Sequence, residues 1–212
     1  MLSATAIIGL QDRLTALWHT NRPEIQEPEP PAPEASEIAT WLQAVAGQHR
    51  ANFDLWHIED EARKPGASDA ELAQIKRRID TTNQRRNDLA EALDHVLLEW
   101  LLSRSLPNPN APLHSESPGL MIDRLSILAL KIYHTREEAE RSGAPEGHAT
   151  RNREPLAVLE VQRADLAQCL DALWQETLAG MRRFKIYRQM KMYNDPSLNP
   201  AVYGKRSDPK PE

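Results

Sequence analysis

His49, Asn52, Glu59, Asp60 and Arg63 share one face of a helix when residues 38–63 are wound at 100° per residue. Ile38, Trp41, Leu42 and Val45 begin that face, and Phe53 and Trp56 lie among its polar members. A soluble helix ordinarily keeps charged groups on the side away from its apolar stripe. Here the stripe itself turns polar half-way along. The residue types suit definite tasks. A guanidinium such as Arg63 holds an anion, and Asn52 orients a ligand through hydrogen bonds. A histidine near Glu59 or Asp60 is tuned toward neutral pH and can transfer protons. Trp56 suits a stacking wall for a sugar or base, and equally a core position.

A second helix is needed to face this one. Lys64-Pro65-Gly66 ends the helix of residues 37–63, and Ser68 with Glu71 makes a capping box that opens another over 69–103. The later helix carries Leu72, Ile75 and Ile79, then Leu93, Leu97, Trp100 and Leu101, with Thr82, Asn83 and Arg86 between the two apolar blocks. An antiparallel hairpin turning near Gly66 puts Asn83 level with His49, and Asn52, Thr82 and Arg86 within about one turn of them. Ile38, Trp41 and Val45 then face Leu93, Leu97 and Trp100 below. Ser117-Pro118 opens a helix over 118–135 that is apolar around most of its circumference and so belongs in the middle of a bundle. If it runs toward the polar layer, Lys131 and His134 come near that layer. A last helix is expected over 154–192, with Leu159, Leu166, Cys169, Leu170, Leu173, Met181 and Phe184 inward. Its end carries Arg182, Arg183, Lys185, Arg188 and Lys191 with Phe184 and Tyr187 interleaved, a pattern that suits a phosphate, an anionic lipid head group or a solvated helix end.

The expected architecture is an all-α, single antiparallel bundle of about five helices. Residues 1–20 form an amphipathic helix (3–19) through Ile7, Leu10, Leu14, Leu17 and Trp18. Residues 21–36, with five Pro and four Glu, form an extended linker that lets the first helix dock at a distance or serve a partner. The bundle covers 37–193, and 194–212 is a tail or flap. With 212 residues and 40% hydrophobic content the chain fits one domain. A net charge of −5 gives no electrostatic support to nucleic-acid binding. The single cysteine, no signal-peptide pattern and no apolar run of membrane-spanning length together suggest a cytoplasmic protein. No Glu-x-x-His pair, zinc-ligand spacing or Gly-rich phosphate loop occurs, so neither metal nor cofactor is expected.

Four strings, HRANFDLWHIEDEAR (49–63), IKRRIDTTNQRRNDLAEALD (75–94), ESPGLMIDRLSILALKIYH (116–134) and QMKMYNDPSLNP (189–200), resemble the bacterial family known as domain of unknown function 4254. The resemblance implies motif positions at His49, Asn52, Trp56, Glu59, Asp60, Arg63, Asp80, Asn83, Arg86, Asn87, Asp123, Arg124, Lys131, Tyr193, Asn194 and Asp195. It also implies a setting in surface-polysaccharide or lipopolysaccharide synthesis, near glycosyltransferases. A fainter likeness to helical chorismate mutases rests on KRRID (76–80), but the Asn, Asp and Glu of the same layer would repel a dicarboxylate. Two functional readings follow. In the first, the layer is a site for a polar anionic molecule, a phosphorylated sugar or sugar nucleotide. Arg63, Arg86 and Lys131 bind the anion, Asn52, Asn83 and Asn87 orient it, and His49 with Glu59 or Asp60 moves protons. In the second, the chain is a non-catalytic partner of a glycosyltransferase and the layer is a structural hydrogen-bond network. Spare apolar surface on the long third helix leaves room for a homodimer.

Overall fold

The computed structural model describes residues 3–21, 37–187 and 197–199. The Pro-rich linker and the basic and polar residues Arg188, Lys191, Tyr193, Asn194 and Asp195 lie outside these described residues. Five helices form an all-α bundle: α1 (Ala4–Thr20), α2 (Glu37–Ala62), α3 (Asp69–Leu102), α4 (Pro118–Glu140) and α5 (His148–Leu178). The core joins all five. Ile7 comes from α1, Trp41 and Val45 from α2, Leu93, Leu97 and Leu101 from α3, Met121, Ile122 and Leu125 from α4, and Leu166, Leu170 and Leu173 from α5. Each such side chain contributes about 1.5–3 kcal/mol by leaving water. As its composition requires, α4 packs against all four other helices. Ile38, expected in the lower layer, is 59% exposed because it lies in the first turn of α2.

Local chemistry sets the helix ends. The Ser68 hydroxyl accepts the Glu71 amide and the Glu71 carboxylate accepts the Ser68 amide, so α3 begins with the reciprocal cap its sequence announces. The fifth helix departs from expectation at both ends. It starts at His148 after Gly147 and tolerates Pro155 inside its exposed second turn. It stops fourteen residues short of 192, because Gly180 takes φ +70°. The Met181 amide donates to the Glu176 carbonyl at 2.8 Å and the Gly180 amide to the Thr177 carbonyl at 3.1 Å. That pair of bonds terminates a helix with a left-handed glycine. The chain then crosses beside residues 112–114, where Arg183 accepts the His114 amide and donates its own to Pro112. Phe184 enters the core, whereas Met181, expected inside, is 60% exposed.

The first helix is a full member of the bundle. Asp171 of α5 accepts the Ala4 amide at 2.9 Å, and Arg163 of α5 donates twice to Asp12. Its buried face is Ala4, Ile7, Gln11 and Thr15 rather than the expected stripe of Ile7, Leu10, Leu14, Leu17 and Trp18, of which Leu17 is 52% exposed. Two polar residues turn inward because polar partners await them there.

Candidate functional site

Thr15 meets His49, one of the misplaced polar residues of α2, and Gln11 donates to the Ile122 carbonyl of α4. His49 is fully buried between α1 and α4. The Thr15 hydroxyl donates its one proton to the Gln11 carbonyl at 2.8 Å, so toward His49 Nε2, 2.9 Å away, it can only accept. Nε2 therefore carries the ring proton. His49 Nδ1 in turn accepts from the Ser126 hydroxyl at 2.7 Å, and the Ser126 oxygen accepts from Asn52 Nδ2 at 2.9 Å. The other proton of that amide goes to Asp123 Oδ1, also at 2.9 Å. Asp123 is the hub. Its Oδ1 further accepts from Gln48 Nε2 and from Arg86 Nε at 2.8 Å, and its Oδ2 accepts from Arg86 Nη2. Arg86 Nη1 reaches Asn83 Oδ1 at 3.4 Å. One continuous set of bonds thus joins four helices, with Asn52 of α2 and Arg86 of α3 both donating to the same oxygen of Asp123 on α4.

Burial dominates the His49 ring. It lowers the pKa from 6.5 to about 3, against a smaller upward pull from the Gln11 backbone. The imidazole is neutral, as the bond directions require. Because the folded value lies below the unfolded one, the contribution of His49 to stability is present above pH 6.5 and is lost as the pH falls toward 3. NMR titration of the ring nitrogens should find His49 in the Nε2–H form with no protonation step across about pH 5 to 8. A mid-range step would refute this assignment.

The outer half of the same polar stripe is open. Trp56, Glu59, Asp60 and Arg63, with Asn52, Leu55, Arg86, Ile127 and Leu130, line a cleft of about 440 Å³. Trp56 lies flat on His134, ring centroids 4.8 Å apart. Arg63 is largely solvated and sits 3.2 Å from the Glu59 carboxylate and 4.0 Å from that of Asp60. Such exposed pairs are worth little and exchange readily. Arg86 is held differently: the Asp123 carboxylate keeps its guanidinium more firmly protonated than usual, against the opposing effect of burial.

A family model for proteins of unknown function, DUF4254, matches residues 42–186, more than half of the 212. The chain belongs to this family. No curated protein and no solved structure matches it. Membership in DUF4254 carries no activity, and the matched span takes in α3 to α5 and α2 from residue 42 on, leaving α1 outside.

Within this DUF4254 chain the expected site residues are not all brought to one place. Asn52, Trp56, Glu59, Asp60, Arg63 and Arg86 come together at the cleft, where Arg86 is anchored by buried Asp123 and touches Asn83. His49 is not brought to Glu59 or Asp60. Ten or eleven residues of helix, about 15 Å of rise, separate it from them, and both its nitrogens are engaged. Arg124 and Lys131 line a separate groove of about 690 Å³ with Glu116 and Cys169, and Arg124 is paired with Glu116 at 2.8 Å. Lys131 is exposed there, and Asn87 is half-buried without lining the cleft. Cys169, expected in the core, is exposed because α5 turns Leu166 and Leu170 inward instead. Of the basic segment, Arg182 pairs with Glu176 and Arg183 donates to the Ala111 carbonyl, so both tie down the end of α5. Gln48, Ser126, Gln11 and Thr15 join the network without having stood out in the sequence. Ser126 stands among apolar neighbours on α4, and Gln11 and Thr15 lie beside the apolar residues Leu10, Leu14 and Leu17. No helix among the described residues is long and apolar enough to cross a membrane.

Proposed function

We propose that the cleft beside Trp56 binds a small phosphorylated sugar. What supports this is the gathering of an indole, two carboxylates and one readily displaced guanidinium around one opening. An indole packs against the apolar face of a pyranose, carboxylates accept from its hydroxyls, and a guanidinium takes its phosphate. The volume lies within the usual range for small-molecule sites. Arg86 is already neutralised by Asp123, which leaves Arg63 as the cleft's exchangeable cation. That favours a single phosphate over the diphosphate of a sugar nucleotide. Surface-polysaccharide synthesis is the setting we infer for such a ligand. His49 has no part in the reading beyond holding α1, α2 and α4 together.

The test is a thermal-shift series on the full chain with hexose phosphates, sugar nucleotides, free hexoses and inorganic phosphate. A ligand at about 100 times its dissociation constant adds about 2.7 kcal/mol, and a domain of this size moves roughly 2–4 °C per kcal/mol. A hexose phosphate should therefore raise the melting temperature clearly, and Arg63→Ala, an exposed change, should remove the shift without altering the unliganded value. No shift from any compound would sink the proposal. The second reading, a non-catalytic partner of a glycosyltransferase, is favoured by one observation: His49, Asn52, Ser126 and Asp123 of the inner layer hydrogen-bond to one another. Silence across the ligand series, with partner capture unaffected by Arg63→Ala, would support it.

A further inference from the structure

We propose that His19, His57 and His134 form a binding site for a divalent transition-metal ion, with zinc the expected occupant. The three residues come from α1, α2 and α4, and their ligand nitrogens lie within 4.8 Å of one another. Each ring is oriented by its other nitrogen. His19 Nδ1 donates to the Thr15 carbonyl at 2.7 Å, His57 Nδ1 to the Phe53 carbonyl at 2.8 Å, and His134 Nδ1 to the Glu137 carboxylate at 3.0 Å. Carbonyl and carboxylate oxygens only accept, so each Nδ1 bears the proton and each neutral ring carries its lone pair on Nε2. That is the tautomer of a metal-ligating histidine, and a carbonyl or carboxylate on the far nitrogen is its usual support.

A second observation is independent of the spacing. Nε2 of His19 and Nε2 of His134 are buried and have no hydrogen-bond partner among the described residues. Buried acceptors are ordinarily satisfied, and two of them aimed into one cluster call for a shared partner that accepts lone pairs. A metal ion is such a partner. The rings are also held in place. Tyr133 stacks on His19 at 4.3 Å and Trp56 on His134 at 4.8 Å, while Phe53 contacts both His19 and His57. This aromatic wall limits ring rotation and lowers the local dielectric, as the apolar shell of a metal site does.

The donor set selects the ion. Three imidazoles suit zinc, copper, nickel or iron(II), whereas magnesium and calcium need oxygen ligands. A tetrahedral zinc ion with Zn–N bonds of about 2.0–2.1 Å holds its nitrogens roughly 3.3 Å apart, so the rings need close by no more than about 1.5 Å. Three histidines leave the fourth position for water or another ligand. The site stands apart from the cleft's occupant, but Trp56 belongs to both, since its indole covers His134 and lines the cleft. No Glu-x-x-His or paired Cys/His spacing exists because the ligands sit on three helices, which is why the sequence suggested no metal.

The experiment is calorimetric titration of zinc chloride into the full, tag-free chain after chelator treatment and dialysis. One saturable equivalent is expected. Affinity should fall at least about tenfold in each of His19→Ala, His57→Ala and His134→Ala, and stay unchanged in His95→Ala, an exposed histidine on α3. Glu137→Gln, which spares every ligand, should weaken binding measurably. Cobalt(II) read by visible absorption decides the matter without any variant. A tetrahedral spectrum at one equivalent supports the site, and a spectrum of hydrated cobalt overturns it. Absence of saturable zinc binding, or binding indifferent to all three histidine changes, would equally overturn it.

Discussion

Asp123→Ala is expected to lower stability by about 3 kcal/mol, the low end of the range for breaking a buried ion pair. Asp123 is 5% exposed and accepts from Gln48, Asn52 and Arg86 at once. Truncating it removes no favourable apolar contact of consequence. The cost comes from what stays behind: a guanidinium in the interior with its carboxylate gone, and two amides with donors unmet. The Arg86 side chain retains 23% of its exposure, so water recovers part of the loss, and this places the value at the low end. For a domain of this size the melting temperature should fall by roughly 6–12 °C. Arg86→Ala should cost less, because Asp123 keeps its two amide donors. The double variant Arg86→Met/Asp123→Leu should recover the part of the loss that comes from the unpaired guanidinium, while the Gln48 and Asn52 donors stay unmet. Denaturant unfolding of the wild type, Arg86→Met, Asp123→Leu and the double variant closes the cycle. Additive losses would mean that the pair is not coupled and that the network carries no register information.

The position of that network was legible before the fold was, and its membership was not. Helical winding alone put His49, Asn52 and Arg86 where an apolar stripe should continue, and equal distance from Gly66 put α2 and α3 in matching register. What winding cannot supply is which residues of a third and fourth helix complete the bonds. Gln11 and Thr15 precede a Pro-rich stretch, and Ser126 stands in an apolar run, so nothing local distinguishes them from solvent-facing or incidental polar groups. The histidine cluster failed for the same reason: His19 and His134 lie 115 residues apart in the chain. The end of α5 failed differently. Ala179-Gly180 is a stop signal readable in one dimension, but the apolar period appeared to run on to Phe184. Phe184 does reach the core, from beyond the end of α5 rather than from within a helix.

Gly119→Ala should be at least as damaging, by about 3 kcal/mol or more, although intrinsic helix propensity argues the other way. Gly119 lies in the first turn of α4, where alanine would gain up to about 1 kcal/mol over glycine in an unhindered helix. Its backbone φ is not in the left-handed region, so a side chain is not excluded by conformation. The obstacle is α3. A Cβ built on Gly119 would lie 2.2 Å from the Ala90 carbonyl oxygen and 2.8 Å from Asp94 Oδ2. The first of these atoms is backbone and cannot rotate away, so the two helices must part by about 1 Å, which overpacks a core that has no room for it. Parting them also breaks a cap. Asp94 of α3 accepts the Gly119 amide at 2.7 Å and the Ser117 hydroxyl, so it satisfies the α4 N-terminus in place of the Ser117 side chain, which caps nothing itself. Burial pushes the Asp94 carboxyl up to about 6, and the Ser117 and Gly119 donors are what pull it back down. Losing them should raise it further, so the variant's deficit should be larger at neutral pH than at pH 5. Ala90→Gly should fail to rescue it, because the clashing atom is the carbonyl, which glycine retains. A melting temperature at or above wild type would show that α3 and α4 do not approach as closely as this contact requires.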